Sequence, residues 1–259
     1  MKRRSLLIAS YIGFMLLLVL GIVAQATEMK VLSAIGMQPV MEDLGPKFER
    51  ATSHKLAITF DSAGGVVKRV QGGEPADVVV IPRQGIDSLV KDGKAAADSV
   101  TVVARAVLGV AVRKGAPTPD ISSPDALKRT LLAAKSMTYS NPEFGGVSGL
   151  QVVKMLERLG IADDMKPKTV FLPKAGYVAV LVANGEAELA VHQIQELLPV
   201  VGIEVVGPLP SEFQDPIVFA AAIMGSTKDA EASKALVKFL RTPEAAAVIK
   251  AKGMEPATP

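Results

Sequence analysis

The sequence predicts an α/β fold. Short β-branched runs alternate with segments of helical periodicity from residue 28 onward, and strands separated by helices of this length favour parallel sheets. Near the end the pattern changes, because two strand-like runs follow each other directly before two helices close the chain. With 259 residues, the chain is long enough for one large domain or two lobes.

The individual elements follow from local patterns. Runs rich in apolar and β-branched residues predict strands, which in chain order are 30–34, 55–60, 77–81, 100–112 (one long strand or a pair), 136–139, 169–172, 189–193, 203–206 and 216–224. Apolar residues at helical spacing predict helices at 40–52, 66–71, 86–91, 150–159 and 177–184. Ser123 and Pro124 indicate a further helix start, since Ser caps free N–H groups and Pro fits the first helical position. Thr242 and Pro243 begin the last helix, which ends before Gly253.

Composition excludes several classes of function. The chain has no Cys, which excludes a disulfide scaffold, a Cys-ligated zinc site and a thiol nucleophile. Residues 1–26 carry three of the 29 basic residues and none of the 26 acidic ones, so the rest of the chain has 26 of each. This balance gives no support for a nucleic-acid partner. Aromatic residues make up only 4%, which disfavours a carbohydrate ligand stacked on aromatic rings.

The N-terminus has the pattern of a secretory signal. Lys2 to Arg4 are basic, residues 6–23 are mostly apolar, and Ala24-Gln25-Ala26 is a small-x-small cleavage site. We therefore predict a signal peptide at 1–26, cleaved after Ala26, and a periplasmic protein. An uncleaved membrane anchor is the alternative, because the apolar run approaches the length of a membrane span.

Three strand-to-helix junctions are rich in Gly and Ser. They are Ser62-Ala63-Gly64-Gly65, the segment 145–149 with Ser148, and Lys174-Ala175-Gly176. The first N–H groups of a helix are unsatisfied and lie at the positive end of its dipole, so such junctions bind anions. Turn and capping roles are the simpler explanation for any one junction, but three at the carboxyl ends of strands favour an anion site. Arg83 also follows a strand, where it either meets an anion or lies at the surface.

Catalytic motifs are mostly absent. The sequence contains no G-x-x-x-x-G-K-[ST], no G-x-G-x-x-G after a strand and no G-x-S-x-G. Its two histidines do not form a metal-binding pattern, so we expect neither a metal nor a cofactor and predict a protein that is not an enzyme. The competing prediction is a hydrolase or isomerase that uses His192 with a cleft carboxylate such as Glu143.

Four segments carry a resemblance to a known family. They are the first strand and helix, from residue 31 to residue 48, and the runs GEPADV at 73–78, NGEAEL at 184–189 and LRTPEAA at 240–246. On these segments the chain, over about residues 29–255, resembles the periplasmic solute-binding proteins of ABC importers, and most closely the molybdate-binding ones. The resemblance implies a two-lobed type II periplasmic binding fold, with mixed, mostly parallel sheets and a central ligand cleft. One lobe would comprise 27–110 with 216–259, and the other 111–215.

The resemblance also implies a role and a site. The implied role is a monomeric receptor that captures a small anion by lobe closure and delivers it to an ABC permease in the inner membrane. The family's two ligand serines fall at Gly36 and at Ala63, beside Ser62, and its ligand tyrosine falls at Gln193. Its small residue before a helix falls at Ser148, and its next backbone contact falls near Ala175. With Lys174, Arg83 and Gln193 at hand, an organic carboxylate is slightly favoured over molybdate or tungstate, because such groups bind carboxylate oxygens; both ligand classes stay open.

Overall fold

Two mixed β-sheets form the framework of the protein. The computed structural model describes residues 28–52 and 54–257; the predicted signal peptide therefore lies outside the described residues. The described strands are β1 Glu28–Ala34, β2 Lys55–Asp61, β3 Val78–Pro82, β4 Thr101–Ala106, β5 Leu108–Arg113, β6 Met137–Thr138, β7 Leu189–Gln193, β8 Ile203–Pro208, β9 Ile217–Ile223 and β10 Glu255–Pro256. One sheet has the strand order β10-β4-β9-β3-β1-β2 and the other the order β6-β7-β5-β8.

Helices pack against both sheets. They are α1 Gln38–Thr52, α2 Ala63–Gln71, α3 Arg83–Lys91, α4 Pro124–Ala133, α5 Val147–Arg158, α6 Ala162–Met165, α7 Val180–Ala183, α8 Ile194–Leu197, α9 Ala230–Phe239 and α10 Pro243–Ala251. We call the six-stranded sheet with α1–α3, α9 and α10 the first lobe, and the four-stranded sheet with α4–α8 the second lobe. The predicted α/β class and two-lobed fold are thereby confirmed.

The sheets are mixed, as predicted, but they are not mostly parallel. Among the described strands, β1–β2, β1–β3 and β6–β7 pair in parallel, whereas β10–β4, β3–β9, β4–β9, β5–β7 and β5–β8 are antiparallel. Helical crossovers produce the parallel pairs. In the first sheet, β9 returns late in the chain and inserts between β3 and β4, antiparallel to both. In the second sheet, β7 and β8 lie on either side of β5, and both run antiparallel to it.

The chain crosses between the sheets twice. It leaves the first sheet after β4 and enters the second with β5, so the crossing is at Val107, and it returns between β8 and β9. Residues 108–110, which the sequence assigned to the first lobe, therefore lie in a strand of the second sheet. The rest of the division into 27–110 with 216–259 and 111–215 stays a prediction.

Most element predictions are confirmed, and two are corrected. Strand β7 has the predicted bounds, and Ser123 caps α4 by accepting a hydrogen bond from the Ala126 N–H at 3.2 Å. Among the described residues, the strand predicted at 169–172 is reduced to a single bridge between Thr169 and Met137 of the two-residue strand β6. The helix predicted at 177–184 is only α7, since the segment before it forms a turn in which Val180 N–H bonds the Tyr177 carbonyl.

The core is apolar on both faces of the first sheet. The whole of β3 is buried, and so are Phe48 of α1 and Phe219 of β9. Continuous apolar strands of this kind are typical of sheets covered by helices on both sides. Among the described helices, none is both long enough and apolar enough to cross a membrane. The space between the lobes is lined by residues at or just beyond the ends of β1, β2, β7 and β9.

Candidate functional site

A small cavity lies between the two lobes. Its volume is about 40 Å³, which is room for about three water-sized groups. The first lobe contributes the end of β1 with Gly36, the start of α2 and part of β9. The second lobe contributes Ser140, the start of α5, the segment with Ala175 and Gly176, and the end of β7.

Ser62 connects the first lobe to the second. Its hydroxyl accepts a hydrogen bond from the Gly65 N–H at 3.0 Å, which caps α2. The same hydroxyl donates to the carbonyl of Phe144 in the second lobe at 2.8 Å. Ser62 is therefore at the edge of the cavity and also part of the contact between the lobes.

Two glycines allow the lobes to touch beside Ser62. A Cβ atom on Gly64 would lie 2.8 Å from the Phe144 carbonyl oxygen and 2.9 Å from the Cα of Gly145, which is closer than real Cβ atoms come. On the far side of the cavity, the Gln195 side-chain amide donates to the carbonyl of Gly36 at 3.2 Å. The lobes are thus in direct contact on two sides of the cavity, as in a closed state.

The start of α5 faces the cavity without a side-chain cap. Its N-cap residue is Gly146, which has no side-chain acceptor to offer to the first N–H groups. Ser148, in the first turn, is 3% exposed and lines the cavity. Its Oγ lies 3.5 Å from Nε2 of His192. A helix start with free N–H groups and a hydroxyl beside it is suited to an anion.

His192 and Glu196 form a buried pair at the same cavity. His192 Nδ1 lies 3.6 Å from Oε1 of Glu196 and has no hydrogen-bond partner among the described residues. Burial lowers the pKa of His192 to about 4 and raises the pKa of Glu196 to about 8, because a charge is costly away from water. Burial therefore favours the uncharged form of each group in this cavity.

The cavity contains most, but not all, of the predicted binding residues. Those that line it are Gly36, Ser62, Ala63, Ser148, Ala175, Gly176 and Gln193. Gly64 and Gly65 follow Ser62 in α2 and are not part of the lining. Gly64 contacts the backbone of the second lobe at Phe144 and Gly145. Lys174 is exposed and not part of the lining. Arg83 is also exposed, outside the lining, and its guanidinium pairs with Asp87 at 2.6 Å.

The acidic partner suggested for His192 is corrected by the structure. Glu143 is exposed on a short 3₁₀ segment, Pro142–Phe144, and is not among the residues that line the cavity. The carboxyl group beside His192 is that of Glu196, which no pattern in the sequence predicted. Its signal in the sequence is a single acidic residue within the stretch 189–200, whose other residues are apolar, Gln or His192. Ser140 and Phe219 also line the cavity and were not predicted.

Comparison with known proteins identifies the family. The sequence pattern of the bacterial extracellular solute-binding proteins matches residues 29–255. The chain belongs to this family. The resemblance to periplasmic solute-binding proteins is thereby confirmed, and the lobes described above are those of a solute-binding protein.

Relatives of the chain carry names that refer to different activities: one is named for an isomerase reaction and others for molybdate binding. The chain is 34% identical to an aconitate isomerase from a Pseudomonas species over 236 residues, covering 89% of this chain and 88% of the relative. It is 30% identical to a molybdate-binding protein from Azotobacter vinelandii over 241 residues, covering 90% and 92% of the two chains. The solved structure of a periplasmic molybdate-binding protein of Azotobacter vinelandii superposes with a TM-score of 0.73 at 24% identity, over 89% of this chain and 99% of that one.

Proposed function

We propose that this protein is the extracytoplasmic receptor of an ABC importer. It captures a small anion between its lobes and delivers it to a membrane permease. The observation that carries this proposal is the uncapped start of α5, with Ser148, opposite Ser62 of the other lobe across one closed cavity. Membership of the solute-binding family supports the same role. Periplasmic location after cleavage at Ala26, and action as a monomer, belong to this proposal.

The ligand class that we propose is a small organic carboxylate; the cavity of about 40 Å³ has room for one carboxylate group, so a larger acid would hold the lobes further apart than they are here. Within the described lining, the polar side chains are hydroxyls, an amide, an imidazole and one carboxyl group, and no Lys or Arg is present. Neutral donors of this kind bind the oxygens of carboxylates and of tetrahedral oxyanions alike, so the lining fits both classes, and the charged residues that favoured a carboxylate in the sequence, Lys174 and Arg83, lie outside it. The relative named aconitate isomerase, at 34% identity, is named for a carboxylate. Molybdate is the competing ligand, because another relative of similar coverage is named for it.

A thermal-shift panel tests the proposal. The protein is heated with cis-aconitate, trans-aconitate, citrate, succinate, molybdate, tungstate, sulfate and phosphate. A ligand at about a hundred times its dissociation constant adds about 2.7 kcal/mol of stability, which corresponds to roughly 5–10 °C for a chain of this size. A shift with carboxylates alone supports the proposed class. A rise in the thermal midpoint with molybdate and tungstate alone contradicts the proposed ligand class. No rise with any anion of the panel contradicts the proposal that the protein is an anion receptor.

An isomerase on the same scaffold is the second candidate. Ser148 Oγ lies 3.5 Å from one ring nitrogen of His192, and Glu196 Oε1 lies 3.6 Å from the other; a small approach of these groups would let His192 act as a general acid or base. One relative is named aconitate isomerase. Incubation of cis-aconitate with the protein, followed by proton NMR, separates the two functions. A receptor leaves cis-aconitate unchanged, whereas an isomerase forms the trans isomer, and a His192→Ala variant then loses turnover while it still binds.

A further inference from the structure

Glu196 occupies a position in the cavity where a negative charge has no Lys or Arg beside it among the residues of the lining. It is 5% exposed and accepts a hydrogen bond from the Gln193 side-chain amide at 2.6 Å. Gly36 of the other lobe packs close to it, since a Cβ atom there would lie 3.2 Å from Oε1 of Glu196. The carboxyl group thus lines the cavity from the second lobe while the first lobe shields it from water.

The titratable groups around Glu196 do not neutralise it. His192, on β7, is the nearest, and burial keeps its imidazole neutral. Tyr177 precedes α7 and is close enough to Glu196, and to Glu42 on α1, to interact with them electrostatically. Its pKa is raised, mainly by burial and then by these two carboxylates. No Lys or Arg lines the cavity within the described part of the chain. An anion that enters would therefore meet a second negative charge unless Glu196 carries a proton.

We propose that Glu196 is the specificity-determining residue of this cleft, and that it shares its proton with an oxygen of the bound anion, so that the anion is captured together with one proton. The proposal rests on the proposed function, because it requires an anion in the cavity. No bond to carbon changes in this step. One proton from solvent or from Glu196 comes to lie between two oxygens, one on Glu196 and one on the anion.

A carboxylate is the anion best matched to this arrangement. Two carboxyl groups that share one proton have similar basicity, and proteins use such pairs when two carboxyl groups are brought together. The O–H···O⁻ hydrogen bond between them is short and strong. Sulfate is a much weaker base and accepts such a proton poorly. Glu196 therefore favours a carboxylate and disfavours sulfate, although a helix start alone would bind both.

Calorimetric titration of the protein with cis-aconitate tests the proposal. Titrations run from about pH 7 to about pH 9, where cis-aconitate is ionised, in two buffers with different heats of ionisation. We expect the affinity to fall as pH rises, by about tenfold per pH unit wherever the free protein has lost the Glu196 proton; this is above about pH 8 if the free lobes are closed, and at lower pH if they are open. The heats should show uptake that approaches one proton per anion at the upper end of the range.

Two variants give the matched comparison. Glu196→Gln keeps the shape and removes the titration, so we expect binding with no pH slope and no proton uptake. Glu42→Gln changes the same charge on α1, outside the residues that line the cavity, and should keep the slope of the unmodified protein. If Glu196→Gln does not fold, the slope and the proton uptake of the unmodified protein still decide the question.

The outcomes separate this proposal from the proposed function. Binding of cis-aconitate with equal affinity at about pH 7 and about pH 9, without proton uptake, overturns the role of Glu196 and leaves the receptor function standing. A pH slope that persists in Glu196→Gln also overturns it. Binding of molybdate but of no carboxylate overturns the ligand class and the shared proton together. If no anion of the panel binds, the proposed function fails, and the role of Glu196 fails with it.

Discussion

Replacement of Gly64 by Ala should block lobe closure without damage to either lobe. Gly64 lies in the first turn of α2 with helical backbone angles, so Ala fits its local conformation and is favoured there over Gly by up to about 1 kcal/mol. The new Cβ atom would lie 2.8 Å from the Phe144 carbonyl oxygen. Both sides of this contact are backbone, so no side chain can turn away and the lobes themselves must separate.

The cost falls on the closed state alone. Overpacking of a close contact costs typically about 1–3 kcal/mol, which corresponds to a roughly 5- to 150-fold loss of affinity when closure is required for binding. Calorimetric titration with cis-aconitate, or with whichever panel anion gives the largest thermal shift, measures this loss. The thermal midpoint without anion checks that the variant is folded.

Gly45→Ala is the matched control. Gly45 is also a helical glycine of the first lobe, in α1, but a Cβ atom there would meet only the ends of the Ile58 and Leu56 side chains, at 3.3 Å and 3.8 Å. We expect this variant to bind like the unmodified protein. Unchanged affinity in Gly64→Ala would refute the reasoning, because it would mean that binding does not need the contact between Gly64 and the second lobe.

Three further predictions follow from the site and the core. Ser148→Ala should weaken anion binding by about 1.5–3 kcal/mol, the range for a hydrogen bond to a charged group, whereas Lys174→Ala, at an exposed residue outside the lining, should change affinity less in the same titration. Without ligand, urea unfolding should show stability that falls as pH rises from about 6.5 to about 8, by no more than about 1.4 kcal/mol per pH unit. In that range the folded chain keeps the Glu196 proton that the unfolded chain has lost, and His192 is neutral in both states. Below about pH 6.5, His192 and Glu196 change the free energy of unfolding in opposite directions as pH rises. Glu196→Gln should abolish the loss of stability that is expected above about pH 6.5. Phe48→Ala should lower the free energy of unfolding by about 3–5 kcal/mol, because Phe48 is wholly buried in the core.

Local signals were sufficient for much of the fold. The apolar run of β7 predicted its bounds, and Ser123 with Pro124 predicted the start of α4, because strand burial and helix capping depend on neighbouring residues. The strand at 169–172 was wrong for the opposite reason. Its existence depends on a partner strand, and β6 provides only one bridge to Thr169.

From the sequence, the residues of the cavity could be predicted only where their position at the end of a strand or the start of a helix was enough to place them. The sequence led to Ser62 and Ser148, which line the cavity, because they stand at helix starts that follow strands, and those strand ends meet between the lobes. The sequence did not indicate that Glu196 lines the cavity, because its setting depends on Gly36, in the other lobe and far away in sequence. Arg83 shows the same limit. It has the right position at a strand end, but its side chain turns to Asp87, four residues further along the same helix.

The proposed proton sharing couples lobe closure to the protonation of Glu196. Glu196 lies on α8 next to Gln195, and Gln195 holds the first lobe through the carbonyl of Gly36. Separation of the lobes there would admit water to the Glu196 carboxyl group and return its pKa toward the ordinary range, since burial is what raises it. Closure in neutral solution would then draw in a proton even before any ligand contact is counted. An anion that shares this proton stabilises the closed state over the open one, and differential stabilisation of this kind is what shifts such an equilibrium. A ligand that cannot share the proton must instead close the lobes against the cost of two neighbouring negative charges.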